Sequence, residues 1–468
     1  MTIARQPCVI APELERPVTK AMEEVGSKSR PALNNSMIVL YTTLMERIGK
    51  HKLSLDTSNR CQHPVSRRFG CCAVGFVVYP EDEEDVRVCL GLCQESLVTV
   101  TTFGSGTSLM GKRSLISSEE PIEESAASNV IALDLTRLSK VLEVSPEDGE
   151  VRVQAGITRN ELNKYLEPYG LFFPADPGAN ATVGGLIGTG ADGPMATGYG
   201  RLNTLIVDVS VMQADGIVRR YGRNSIWKEL FVGSKGRFGI VLEATLKVFM
   251  CPTNAESLLA SFPVQSDALN AAHKLNTVLV DSGIRLVRGE YLDASCMSRL
   301  NESYQVQYPQ GPSLLIELHG DATNLSLDVV REVCEEFHVQ NFRVEEADEM
   351  WKNRYRVWAA IRPMLIGKLD MPVTKVNQTI NQVRDLGAQH GLMVHTIASP
   401  IMGMVQVLVQ EQADYDVLRL LGFVRAVRDV LKGVSCYFAN EPYSEAHEYE
   451  LLLLLSDAIA KPHVFREL

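Results

Sequence analysis

The segment Phe172–Gly193, FFPADPGANATVGGLIGTGADG, holds six glycines and four alanines in 22 residues, and its only charged side chains are Asp176 and Asp192. Glycine serves where main chain takes φ > 0 or comes very close to another group. A flexible Gly/Ser linker would lack interleaved apolar residues, yet Val183, Leu186 and Ile187 sit among these glycines. The segment is therefore main chain packed against something: either a tight turn beneath a sheet, or a large, flat or phosphate-bearing ligand. It contains no nucleophile beside a base and no metal-ligand spacing.

The rest of the chain narrows the setting. A length of 468 residues allows two or three domains. A net charge of −11, with no Lys/Arg run, argues against a nucleic-acid partner. Ten Cys are scattered, and the close pairs Cys71/Cys72 and Cys89/Cys93 match neither a disulfide framework nor a four-ligand zinc pattern. Together with the lack of a recognisable signal peptide, this predicts reduced thiols in an intracellular chain. The apolar run Leu451–Leu455 is too short to span a bilayer. Glu13, Glu15, Glu23 and Glu24 make poor transit-peptide material, so the cytoplasm is expected ahead of the mitochondrion.

Residues 1–70 have weak periodicity and read as an extension with one helix near Met37–Gly49. From Ala73 the pattern becomes regular. AVGFVVYP, LVTVTTF and NVIALDL read as strands, with a helix at 81–94. VRVQAG precedes a helix at 158–169. LIVDVSVMQADGIVRRYG reads as two strands around an Ala-Asp-Gly turn, and FGIVLEATLKVFM as one more. Beyond Pro252, the segments LLASFPV, LVRGEYL, SLLIELHG and MVQVLVQ read as strands. They are separated by helices at 266–282, 324–337 and 373–390, a pattern that predicts a second α+β layer covering the first.

FGSGTSLMG, Phe103–Gly111, follows a strand and forms a glycine-rich loop of the kind that binds phosphate oxygens. It is neither a Rossmann fingerprint nor a P-loop. FGSGTSL followed by PADPGANATVGG, Tyr199-Gly200 and LFVGSKGRFGIVLEATLKV resembles the PCMH-type FAD-binding domain of the vanillyl-alcohol oxidase superfamily. Within that superfamily the chain resembles the flavoprotein D-lactate and glycolate dehydrogenases. The resemblance implies an α+β fold: a two-subdomain FAD-binding domain over 71–250, then a ferredoxin-like cap for the substrate over 251–468 with a shortened C-terminal end. It implies non-covalent FAD held mainly by main chain. By position in the motifs, the cofactor-binding residues are Phe103, Gly104, Ser105, Gly106, Thr107 and Ser108 in the first loop. In the second they are Pro174, Asp176, Pro177, Gly178, Thr182, Gly184, Gly185, Thr189 and Gly193, followed by Tyr199. In the third they are Gly236, Gly239 and Ile240. Gly198 stands where an Arg is usual in the family, and Lys235 where an acid is.

In the cap the chain departs further. The resemblance implies two His that hold a divalent metal, but Ser399 and Gln406 occupy those positions. A later Glu–His pair corresponds to Glu441 and Pro442. One Glu without imidazoles is not a metal site, so no metal is expected. MWKNRYRVW, Met350–Trp358, matches the helix that carries a carboxylate-binding Arg, here Arg354, with Arg356 and Arg362 as alternates. The family base is absent, which leaves Tyr199, Tyr355 and His395 as candidates. The resemblance implies hydride transfer from a 2-hydroxy acid, or from a drifted intermediate of secondary metabolism, to FAD and on to an unidentified electron acceptor. The alternative is a catalytically impaired FAD-binding paralogue with a structural or partner role.

Overall fold

The structure is a computed structural model and describes residues 33–55, 74–108, 129–280, 284–320, 323–412, 417–432 and 434–439. Its first sheet has the strand order Leu53–Ser54, Val77–Val78, Val130–Asp134, Thr99–Phe103, and the last three are parallel. Parallel strands of one sheet need a crossover, and the helix Glu83–Glu95 supplies the one from Val78 to Thr99, the strands that flank Val130–Asp134. Its start is written in the sequence: the Asp82 side chain caps Asp85 N–H, and Glu83, Glu84 and Asp85 fill the first turn. The helix Asn35–Ile48 adds Met37, Leu40 and Leu44 to the same core as Phe76 and Leu90. Part of the segment read as an extension is thus integral to the first sheet's packing.

The second sheet is antiparallel, in the order Val141–Ser145, Glu150–Gln154, Ile240–Lys247, Ile206–Met212, Val218–Tyr221. The glycine-rich segment lies against it and is not loop throughout. Thr182 accepts a hydrogen bond from Gly185 N–H and opens a short helix, Val183–Thr189, which Gly190 ends at φ +61. Val183, Leu186 and Ile187 are the buried anchors of that helix, packed in one core with Phe173, Phe231 and Phe238.

The third sheet has eight strands, every neighbour antiparallel. The order is Asn341–Glu345, Ala255–Ser261, Ser313–His319, Arg285–Leu292, Val394–Ser399, Met404–Gln410, Pro363–Asp370, Ser435–Ala439. Side chains alternate between its faces. Tyr291, Ala398, Val405 and Leu369 enter the core beneath helices Gln265–Val280, Thr323–Glu336, Val376–Gln389 and Val417–Val430. Leu292, Ile397, Leu408 and Ile366 enter the opposite core, with helices Ala294–Tyr304 and Ala347–Ile361. The register sets Leu292, Ile397, Gln406 and Lys368 in one row across that second face. Among the described residues, no helix is long and apolar enough to cross a membrane.

Candidate cofactor and substrate site

Three segments named from the sequence meet in space. A Cβ on Gly104 would lie 2.0 Å from Thr182 Oγ1, so the Phe103–Ser108 loop rests directly on the start of the helix Val183–Thr189. At the other end of that helix, Gly233 N–H donates to Ile187 O at 2.8 Å and Lys235 N–H to Gly188 O at 2.7 Å. A Cβ on Gly236 would approach Thr102 Oγ1 to 2.8 Å, which closes the third loop back onto the first. Lys235 adopts φ +55 to make its turn. Gly239 faces Val211 and the Met212 carbonyl, and Ile240 pairs with Met212 as the loop becomes strand. Gly184 N–H donates to Ala155 O at 2.7 Å, and Thr189 Oγ1 donates to Gly185 O at 2.7 Å.

Several of these glycines are therefore demanded by protein meeting protein, which is more than space for a ligand. The junction they build is lined by main chain and by Ser and Thr hydroxyls, with Ser105 Oγ 3.3 Å from Thr107 Oγ1. That lining suits a dinucleotide diphosphate, which needs close main-chain donors and no bulky neighbours. A Cβ added at Gly188 would meet nothing nearer than the Lys235 Cα at 4.0 Å, and one added at Gly233 would meet nothing within 4 Å. The residues present fit FAD.

The Phe172–Gly178 end turns toward the eight-stranded sheet. Gly178, at φ +81, lies under the Tyr355 ring, where a Cβ would be 2.1 Å from the ring carbon Cδ1. Gly193, at φ +103, presses on the main chain of Asp176. Buried Asp176 then joins the two layers. Its Oδ2 accepts from Arg288 at 2.6 Å and from the Tyr355 hydroxyl at 2.8 Å, and Arg159 stands 3.5 Å away. The structure commits this carboxylate to the cap, whereas the motif position suggested the cofactor. Pro174 is buried next to it, and Pro177 precedes the Gly178 turn. Gly198 has a specific reason: a Cβ there would sit 2.6 Å from Val287 Cα, so the turn Ala196–Tyr199 lies flat on the strand Arg285–Leu292. No Arg fits that position.

Arg354 is buried, and Glu290 grips it through Nε and through Nη2, the latter at 2.9 Å. Burial works to lower its pKa, and the Glu290 carboxylate outweighs this and raises it. The Glu290 bonds use one donor on Nε and one on Nη2, which leaves the second Nη2 hydrogen and both on Nη1 outside that pair. Of the alternates, Arg356 donates to Asn353 Oδ1 at 2.8 Å. Arg362 lines a surface hollow of about 440 Å³ with Arg299, Tyr304, Gln410 and Glu411, to which none of the three loops contributes.

The candidate bases fare differently. Burial, reinforced by the Asp176 charge, pushes the Tyr355 hydroxyl well above its ordinary value, so it donates to Asp176 at neutral pH. His395 bonds Ser295 Oγ at 2.7 Å and Gln410 Oε1 at 3.0 Å. It lies near Asp293 and Cys296 in a spacing that could hold a metal. However, Asp293 is spent on the amides of Cys296 and Thr396 and on the hydroxyls of Ser295 and Thr396. That cluster is a helix cap. Burial also raises Tyr199, and its hydroxyl shares a hydrogen bond with His319 Nδ1 at 2.8 Å. His319 Nε2 meets Glu317 at 2.8 Å, and Glu317 meets Arg288 at 3.0 Å. This buried chain from Tyr199 to Asp176 was missed in the sequence. The motif ELHG was visible as a strand end, but nothing local distinguishes His319 from an ordinary core histidine.

Ser399 and Gln406 fall on the same face of adjacent strands. They offer a hydroxyl and an amide where a divalent transition metal wants imidazole or carboxylate, so the described residues do not fit such an ion. Glu441 and Pro442 lie outside the described residues. Chelator treatment is expected to leave melting temperature and activity unchanged. Finding one stoichiometric metal per chain would contradict this.

A family described as an FAD binding domain matches residues 74–222. A Danio rerio protein named as a probable mitochondrial D-lactate dehydrogenase is 26% identical over 409 residues, covering 83% of this chain and 76% of that protein. A mitochondrial, cytochrome-linked D-lactate dehydrogenase of Arabidopsis thaliana is 29% identical over 332 residues, covering 67% of this chain and 56% of that one. The fold aligns with an alkyldihydroxyacetonephosphate synthase at a TM-score of 0.71 and 16% identity, covering 94% of this chain and 86% of the other. With the three-loop cradle assembled as described, FAD is the cofactor, and the chain is an FAD-linked oxidoreductase similar in sequence to the D-lactate dehydrogenases.

Proposed function

We propose that the protein oxidises a small acid that carries a hydroxyl on the carbon beside its carboxylate. The flavin would be held by residues 71–250 and the substrate by the cap face of 251–468. The observation that carries this reading is Arg354: a buried guanidinium held by Glu290 through Nε and Nη2, with Nη1 outside that pair, a group suited to a planar anion. A carboxylate is costly to desolvate without such a cation. Bound FAD supplies the acceptor for the hydride that leaves the substrate carbon.

The chain's own residues orient the acid and manage its proton. Tyr355 and Tyr199 remain protonated near neutral pH and act as donors. Glu317 on Nε2 favours the His319 tautomer whose Nδ1 accepts from Tyr199. The trio Tyr199–His319–Glu317 can thus take up a proton at the layer boundary.

The purified protein is expected to be yellow and to release intact FAD on heating or acid treatment, in line with non-covalent binding. Anaerobic addition of D-2-hydroxy acids is expected to bleach the flavin absorbance. A flavin that stays oxidised with every member of such a panel would favour the non-catalytic alternative.

A further inference from the structure

The row Leu292–Ile397–Gln406–Lys368 crosses four strands, on the face that also carries Glu290, two residues before Leu292. Gln406 Oε1 is buried and has no hydrogen-bond partner. A buried acceptor of that kind costs stability until a donor reaches it. Next to it in the row, Lys368 Nζ stands 3.6 Å from Asp192 Oδ2, with its side chain 27% exposed. That separation is an ion pair too long for a good hydrogen bond. Asp192 also faces Arg201 at 3.9 Å, and it belongs to the same glycine-rich segment that lines the flavin cradle. The ammonium therefore sits between the cofactor layer and the cap sheet, with an unmet acceptor beside it.

We infer that Lys368 and Gln406 together bind the oxygen on the reacting carbon, so that a fixed protein cation takes the electrostatic place of a metal. The substrate hydroxyl donates to Gln406 Oε1 and accepts from the Lys368 ammonium, while the carboxylate goes to Arg354. This rests on the hydroxy-acid reading above and adds its second anchor. The ligand class is a monocarboxylate with a hydroxyl at the adjacent carbon. The two anchors require that group to be both donor and acceptor, which a hydroxyl is and a second carboxylate is not.

The test uses the full-length, FAD-loaded protein and two unreactive acids of equal charge. 2-Hydroxyisobutyrate has the hydroxyl but no hydrogen on its reacting carbon, and isobutyrate lacks the hydroxyl. Binding is read by calorimetry and by perturbation of the flavin absorbance, without turnover. The unmodified protein is expected to prefer 2-hydroxyisobutyrate by about tenfold or more, the order that a charge-assisted hydrogen bond supports. In Lys368→Met and in Gln406→Leu the preference should fall toward unity, with isobutyrate affinity and FAD content unchanged. Lys368→Arg should keep most of it. Equal binding of both acids by the unmodified protein would overturn this inference alone. So would a preference that survives both substitutions or that requires added zinc or manganese. Binding of neither acid would overturn the hydroxy-acid reading and this inference with it.

Discussion

Arg354→Ala is expected to lower stability and turnover together, by separable routes. Arg354 and Glu290 have side chains only 3% and 2% exposed. Removing the guanidinium leaves Glu290 as an uncompensated buried charge, a loss of about 3–5 kcal/mol. Turnover should fall roughly 10- to 1000-fold, the range for loss of charge-assisted bonds to a carboxylate. The double substitution Arg354→Met with Glu290→Leu removes both charges and should recover most of the melting temperature, because replacing a buried pair by apolar groups is often neutral. It should recover none of the turnover. If the double variant regained activity, Arg354 would be a structural residue and the carboxylate would be held elsewhere. FAD content should hold in the double variant, since Arg354 pairs with the cap strand Arg285–Leu292.

Gly193→Ala is expected to yield a protein that retains little flavin. Gly193 adopts φ +103, where a side chain is strained by about 1–3 kcal/mol. An added Cβ would also lie 2.1 Å from the Asp176 carbonyl oxygen and 2.3 Å from its carbon. Both are main-chain atoms that cannot rotate away. The Asp176 segment would have to move, and with it the bonds to Arg288 and Tyr355 that tie the cradle to the cap. The comparison is Gly233→Ala: φ there is +76, and the added Cβ would meet no protein atom within 4 Å. That substitution should keep the fold, so flavin loss from it would set the cofactor against Gly233 itself. Full flavin occupancy and an unchanged melting temperature in Gly193→Ala would show that this close approach does not shape the cradle.

Much of the architecture was legible because it is local. Glu83–Glu95 carries its own cap and an apolar stripe, and the Ala-Asp-Gly turn sits between two alternating strands. Strands Pro363–Asp370 and Val394–Ser399 went unread. Lys368, Asp370 and His395 interrupt their patterns, and the partners of Pro363–Asp370 lie tens of residues away. The Phe172–Gly193 run announced close main-chain approach, yet it gave no sign that seven of its residues wind into a helix. Glycine has poor helix propensity, and the tertiary packing of Val183, Leu186 and Ile187 overrides it.

By itself, the sequence determined the cofactor. A flavin cradle built from main chain leaves its mark as glycine and small polar residues in order, and that composition survives without any side-chain chemistry. The cap side was decided only by tertiary structure. The roles of Arg354, Asp176 and His319 depend on which group each one meets, and the partners Glu290, Arg288 and Tyr199 stand 64, 112 and 120 residues away in the chain. The same guanidinium or imidazole on a solvated helix would look identical in sequence. Burial and a fixed counter-charge, set by strand register and by helix packing across the layers, give each of them its chemistry.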